Sequence, residues 1–239
     1  EKSPMAAMVL VQHLRASEIL SITDALTAES FAYAALQTGP EFQEWNRLYK
    51  GSRILEASSS PLDIAINKTR LSLTMTDPQT HNAIGTVMRD ALCEALDLAL
   101  IDETYTDIHI SGSGRTFSTG GTVEEFGVAP DPATAHWVRS LRLPAWRLAR
   151  LKNKLGIHVN GAAIGAGAEI AAFGKQVTAS PKAWFQLPEL KYGLIPGAGG
   201  TASLPRRIGR QRTAYMALSM EKIPAKTALE WGLVDSLID

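Results

Sequence analysis

The chain has 239 residues, with 24 Lys+Arg against 24 Asp+Glu and so no net charge at pH 7. That balance argues against a nucleic-acid binder or a binder of anionic membranes, and any anionic ligand must be held by local groups. The single cysteine, Cys93, lies in the helical pattern AIGTVMRDALCEALDLAL. It excludes a disulfide framework, speaks against a zinc cluster, and reads as a small core residue. The opening EKSPMAAMVLVQHLRASEIL is broken by Gln12, His13 and Arg15 too early for a signal peptide. No apolar run reaches transmembrane length, so a soluble cytoplasmic protein is expected.

Residues 1–60 read as helices. Pro4 suits a first helical turn, Thr27–Gln37 is rich in Ala, and Gly39 offers a stop. Pro40 opens EFQEWNRLYK, where Phe42, Trp45, Leu48 and Tyr49 share a face that must be buried on the main domain or on another subunit. Ser and Pro cluster in GSRILEASSSP (51–61), the best linker candidate. From Leu62 the period changes to two. Leu62, Ile64 and Ile66, then Leu71, Leu73 and Met75, alternate around a polar break at Asn67–Lys68, which predicts a hairpin.

A long helix is expected from about Asn82 to Ile101, then a strand at DIHIS (107–111) and the glycine-rich GSGRTFSTGG (112–121). Helix returns through Ala133–Leu151, interrupted at Pro144. LGIHVNG (155–161), QVTAS (176–180) and AWFQLP (183–188) read as strands, and GAGAEIAAFG (165–174) as a short helix. The remainder is helical around Ala198–Met220 and Ala225–Trp231. Short strands alternating with helices indicate an α/β domain at 61–239 behind a helical extension at 1–60.

Two segments could carry chemistry. FSTGG (117–121) and NGAAIGAGAEIAAFG (160–174) are small-residue turns after strands. Such turns at helix starts leave backbone N–H groups free and suit a negative oxygen, although glycines there can also serve only tight packing. GAGAE lacks the G-x-G-x-x-G spacing of a dinucleotide site, and GLIPGAGGTAS has no closing Gly-Lys-Ser/Thr. Glu169 lies inside an apolar helix and Glu189 follows an apolar strand. Two carboxylates sharing an apolar pocket separate their pKa values, so one can act as acid and one as base.

From about Leu62 to Asp239 the sequence resembles the crotonase superfamily of enoyl-CoA hydratases and isomerases. The resemblance rests on DPQTHNAI (77–84), GSGRTFSTGG, HVNGAAIGAGAEIA (158–171), FQLPELKYGLIPGAGGTASLPRRIGR (185–210) and AKTALEWGLVD (225–235), in the family's order. It implies a crotonase-like spiral of ββα units. It also implies an oxyanion hole from the N–H groups of Gly121 and Ala166, with Glu169 as base toward water and Glu189 as proton donor to the α-carbon. The two glutamates are 20 positions apart (189 minus 169), as in the hydratase subgroup.

Backbone around Thr119, Gly120, Thr122 and Val123 would receive coenzyme A, which enters as part of an acyl-CoA substrate, with no separate cofactor and no metal. A homo-oligomer, trimer or hexamer, is also implied. Enoyl-CoA hydration leads; double-bond isomerisation and a CoA-ester-binding or assembly protein without turnover are the alternatives. The family usually has Asp where this chain has Thr122. It also continues beyond the segment matching GLVDSLID with helices that cover the acyl pocket. Helices within 1–60, through Phe31, Tyr33, Phe42, Trp45 and Tyr49, are expected to take over that covering.

Overall fold

The computed structural model describes residues 3–49 and 58–238. Most of the expected linker falls on residues 50–57, outside the described residues. Three helices come first: α1 (Pro4–Ala16), α2 (Ile22–Gln37) and α3 (Pro40–Leu48). Pro at the first turn starts α1 and α3, while the Ser21 side chain caps α2 by accepting from the Asp24 N–H. The hairpin follows as β1 (Leu62–Asn67) and β2 (Arg70–Met75), turning at Lys68, whose φ of 54° is left-handed. Then come α4 (Thr86–Ile101), β3 (Asp107–Gly112), β4 (Thr116–Ser118), α5 (Pro132–Arg142) and α6 (Pro144–Leu151). β5 (Leu155–Val159), β6 (Ala162–Ile164), α7 (Ala166–Ala171), β7 (Gln176–Ala179) and β8 (Trp184–Gln186) continue the alternation. The chain closes with α8 (Gly200–Ile208), α9 (Arg210–Ser219), β9 (Ile223–Pro224), α10 (Ala225–Trp231) and β10 (Ser236–Leu237).

The strands sort into two sheets, β1-β2-β3-β5-β7-β10 and β4-β6-β8-β9. Along the chain, β3, β5 and β7 enter the first sheet, and each is followed by a strand of the second, β4, β6 and β8. All these neighbours within each sheet are parallel. The result is a spiral in which each repeat lays one strand in each sheet, so corresponding strand ends are stacked side by side.

Four expectations need correction. The helix expected from Asn82 starts at Thr86, because Asn82 is left-handed at φ 56° and its side chain is spent on Asp77, Ser113 and Thr116 backbone groups. The stretch Ala198–Met220 is two helices, broken at Gly209 with φ 82°. Ile64 and Ile66 are exposed although they stand opposite the buried Leu73 and Leu71 on the same sheet face, because β1 is an edge strand that the layer covering β2 does not reach. Leu48 is exposed as well: at 100° per residue it falls well round α3 from Phe42 and Tyr49.

The N-terminal helices are part of one core with the α/β unit. Leu10, Leu26, Leu36 and Phe42 are buried in the same apolar cluster as Ile110, Phe185 and Leu204. Trp45 on α3 lies 5.0 Å from the Tyr49 and Tyr192 rings and 6.4 Å from Phe126, tying the extension to two loops of the main unit. Tyr33 is buried too, but Phe31 is exposed and only stacks on His136 at 4.2 Å. Cys93 is buried and donates to the Arg142 carbonyl at 3.1 Å. Burial pushes its thiol up to about 11, so it is inert packing. No helix among the described residues is long and apolar enough to cross a membrane. No group of three or more His, Cys, Asp or Glu among them is arranged to hold a metal.

Candidate active site

β4 and β6 are parallel neighbours, so the turns that leave them emerge together. Gly120, at φ 88°, lies against the second turn so closely that a Cβ there would meet the Ile164 carbonyl oxygen at 2.6 Å and the Ala166 nitrogen at 3.3 Å. A side chain would force the two turns apart. The N–H groups of Gly121 and Ala166 donate no hydrogen bond among the described residues. The loop beyond Gly121 is held from α4: the Glu125 carboxylate accepts from the Thr86 N–H at 2.9 Å and its hydroxyl at 3.0 Å. That carboxylate caps a helix whose own N-cap, Gly85, has no side chain to offer.

The two glutamates approach from different repeats. Glu169 is in α7, and its Oε2 accepts from the N–H groups of Ala198 and Gly200, each at 2.7 Å. Glu189 follows β8, and its Oε2 is buried with no hydrogen-bond partner. Gly165, at φ 49°, leaves room for it: a Cβ there would sit 2.6 Å from Glu189 Oε1. Burial raises Glu189 to about 8. Burial first, and then the charges of Glu189 and Glu29, hold Glu169 well above the ordinary carboxylate range. Two amide donors favour a charged Glu169, while Oε2 of Glu189 has no donor among the described residues and only that residue's own backbone hydrogen bond opposes the effect of burial.

A third buried carboxylate comes from the extension. Glu29 on α2 accepts from the Gly199 N–H at 2.7 Å, the Thr201 N–H at 2.9 Å and the Thr201 hydroxyl at 2.6 Å. His13 on α1 meets the same hydroxyl at 2.7 Å. With Glu29 ionised, that hydroxyl gives its one proton to the carboxylate, so His13 donates from Nε2. Burial raises Glu29 to about 7 against these donors, and lowers His13. Next to it, Tyr33 packs on the backbone at Gly197, where a Cβ would be 2.2 Å from the ring.

Gly121, Thr122, Ala166, Glu169 and Glu189 all line one cavity of about 560 Å³. Thr119, Gly120 and Val123 are not in its wall. Thr119 turns its hydroxyl to the Thr80 carbonyl, and the Gly120 N–H is taken by Ser118 Oγ. Tyr33, expected as a covering aromatic, lines the cavity; sequence reasoning missed Gln37 and Arg139, which also line it, and Glu29, which holds the turn at Gly199 and Thr201 behind it. One signal was available for Glu29. It shares the buried face of α2 with Ala25, Leu26 and Tyr33, where a carboxylate is out of place unless it has partners.

Comparison with known proteins agrees with this architecture. The family model for enoyl-CoA hydratase/isomerase matches residues 65–238. Among curated proteins, the chain is 34% identical over 179 residues to the 2,3-dehydroadipyl-CoA hydratase of Escherichia coli, covering 74% of this chain and 69% of that protein. It is 34% identical over 178 residues to the 1,2-epoxyphenylacetyl-CoA isomerase of the same organism, covering 73% and 68%. A solved enoyl-CoA hydratase subunit of Geobacillus kaustophilus superposes with a TM-score of 0.68 at 28% identity, covering 75% of this chain and 69% of that one. With the ordered motifs, the two-sheet spiral and the shared cavity, these matches show that the chain belongs to the enoyl-CoA hydratase/isomerase family.

Proposed function

We propose that this protein adds water across the α,β double bond of an enoyl-CoA thioester, or removes it in reverse. The observation that carries this reading is the convergence of Glu169 and Glu189 with two undonated backbone N–H groups on one cavity. The thioester oxygen would accept from Gly121 and Ala166, which draws electron density from the β-carbon. Glu169 takes a proton from water as the water oxygen bonds to that carbon. The π electrons move to the thioester oxygen as an enolate, and Glu189 then delivers a proton to the α-carbon. One O–H bond breaks at water, and one C–O and one C–H bond form. Proton exchange returns the pair to its starting state. The burial of Glu189, raised to about 8, supports its role as the protonated partner near neutral pH.

Coenzyme A would lie along the loop of Thr119, Gly120, Thr122 and Val123, with Thr122 at the cavity wall. The test is spectroscopic turnover with a panel of 2-enoyl- and 3-enoyl-CoA thioesters, with product identification. Loss of the conjugated enoyl absorbance with formation of a 3-hydroxyacyl-CoA supports hydration. No change with any member of the panel would remove the hydratase reading.

The second reading is double-bond isomerisation. A relative named as a trans-2-decenoyl-[acyl-carrier-protein] isomerase is 32% identical over 167 residues, close to the 34% of the one named as a hydratase. That reaction needs the same enolate but only proton movement between carbons. Conversion of 3-enoyl to 2-enoyl thioester without hydroxyacyl product would select it.

A further inference from the structure

The cavity contains a cation that makes no direct ion pair among the described residues. Arg139 on α5 reaches the cavity wall and lays its guanidinium over the Tyr33 ring, 3.6 Å from the centroid. Its Nε is buried with no hydrogen-bond partner. Among the described residues it makes no ion pair, although four glutamates lie around it or the cavity.

Each of those glutamates is spent elsewhere or held neutral. Both oxygens of Glu29 are bonded to Gly199 and Thr201. Glu169 Oε2 serves Ala198 and Gly200, and Glu125 serves Thr86. Burial keeps Glu189 protonated to about 8. Glu29 acts on Arg139 only through space, and a guanidinium in a partly buried wall that no anion contacts is costly, a cost that a ligand anion pairing with it recovers.

Polar groups gather at the same place. Among the described residues the Tyr33 hydroxyl donates no hydrogen bond, and the side-chain amide of Gln37, one turn further along α2, makes none. Tyr33 stays protonated, raised to about 12 by burial against the opposing charge and side-chain hydrogen bond of Arg139. Gln37 supplies a second donor on the face of α2 that Tyr33 shares. The stacked guanidinium, whose fork is made for a carboxylate, is fixed in place by the ring beneath it.

Resting on the acyl-CoA reading of this site, we infer that the acyl group carries an anionic end, a carboxylate remote from the thioester, received by Arg139 with Gln37 and Tyr33. The substrate class is then the CoA thioester of a dicarboxylic acid. A coenzyme A phosphate is the other anion that could reach a cavity arginine. It is disfavoured because Arg139 sits on Tyr33, which packs on Gly197 beside the glutamates rather than at an open rim.

The experiment is a binding comparison that needs no turnover. Calorimetry measures the dissociation constants of two saturated acyl-CoA thioesters of equal length, one ending in methyl and one in carboxylate. The full chain is used, and then Arg139→Met, which keeps an aliphatic stem over Tyr33. The unsubstituted protein should bind the carboxylate-ended thioester more tightly. Arg139→Met should weaken that ligand by about 10- to 100-fold, the scale of a charge-assisted pair, while the methyl-ended ligand changes by less than about threefold. Arg139→Lys and Gln37→Leu are read in the same way, so the ratio survives a folding failure in any one variant. Tighter binding of the methyl-ended thioester, or equal weakening of both ligands by Arg139→Met, overturns the inference and leaves the acyl-CoA site standing. Failure to bind either thioester overturns the acyl-CoA reading and the inference together.

Discussion

Glu29 and Glu169 grip alternate amides of a single turn. Glu169 takes Ala198 and Gly200, and Glu29 takes Gly199 and Thr201. One carboxylate belongs to the α/β unit and the other to the N-terminal helices, so the extension holds the backbone that orients Glu169. Truncation should show this. Glu29→Ala leaves two buried N–H groups and a hydroxyl without an acceptor, and should cost about 3–5 kcal/mol in denaturant unfolding. Glu29→Gln keeps one acceptor oxygen and should cost clearly less. Equal, small effects in both variants would show that the turn holds itself.

Glu169→Gln and Glu189→Gln should each lower turnover by about two to four orders of magnitude, as for loss of a positioned acid or base. Their thermal melts should differ in a telling way. Glu189 Oε2 has no partner to lose, so Glu189→Gln should melt no lower than the parent, measured near pH 8 where the parent begins to carry an unstabilised charge. Wild-type turnover in either variant would take that residue out of the mechanism.

Stability should fall as pH rises. In the fold Glu29 holds its proton to about 7 and Glu189 to about 8, against 4.5 for each when unfolded. Between those values the folded state binds more protons than the unfolded state. Each group then removes up to about 1.4 kcal/mol of stability per pH unit. Guanidinium unfolding midpoints compared at about pH 5 and about pH 8 check the sign, and Glu189→Gln should flatten the slope. A midpoint that is higher at the alkaline end contradicts it.

Proline at the proposed oxyanion positions removes the donor. Gly121→Pro or Ala166→Pro should abolish turnover, and a ligand-bound structure should place the thioester oxygen roughly 2.7–3.1 Å from both nitrogens. A carbonyl pointing away from both nitrogens rules the assignment out, whatever the variants do.

Phe42 joins the extension to the loop beside the cavity. It is fully buried, 5.6 Å from the Trp45 ring, and packs so near Gly127 that a Cβ there would lie 2.9 Å from it. Phe42→Ala should cost about 3–5 kcal/mol and loosen the 123–127 segment. Hydrogen exchange over that segment reads the second effect. Unchanged protection would separate the aromatic cluster from the loop.

Local patterns in the sequence determined the α/β repeat, the hairpin and the two small-residue turns. Period two in Leu71, Leu73 and Met75 survives folding as a buried strand face, and Pro40 and Pro144 start helices because their missing N–H costs nothing there. The segments carrying Gly121, Ala166, Glu169 and Glu189 were legible because small-residue turns and a carboxylate in an apolar run are marked within a few residues. Tertiary structure alone decided what faces them. Glu29 is 170 positions from Gly199, and Arg139 finds its ring in Tyr33 on another helix. Neither pairing leaves a local period, since both arise only when the N-terminal helices bury their apolar face on α8 and α5. For the same reason an alternating strand did not reveal that Ile64 and Ile66 are exposed: they share a face with the buried Leu73 and Leu71, and only the packing of the sheet decides whether its cover reaches the edge strand.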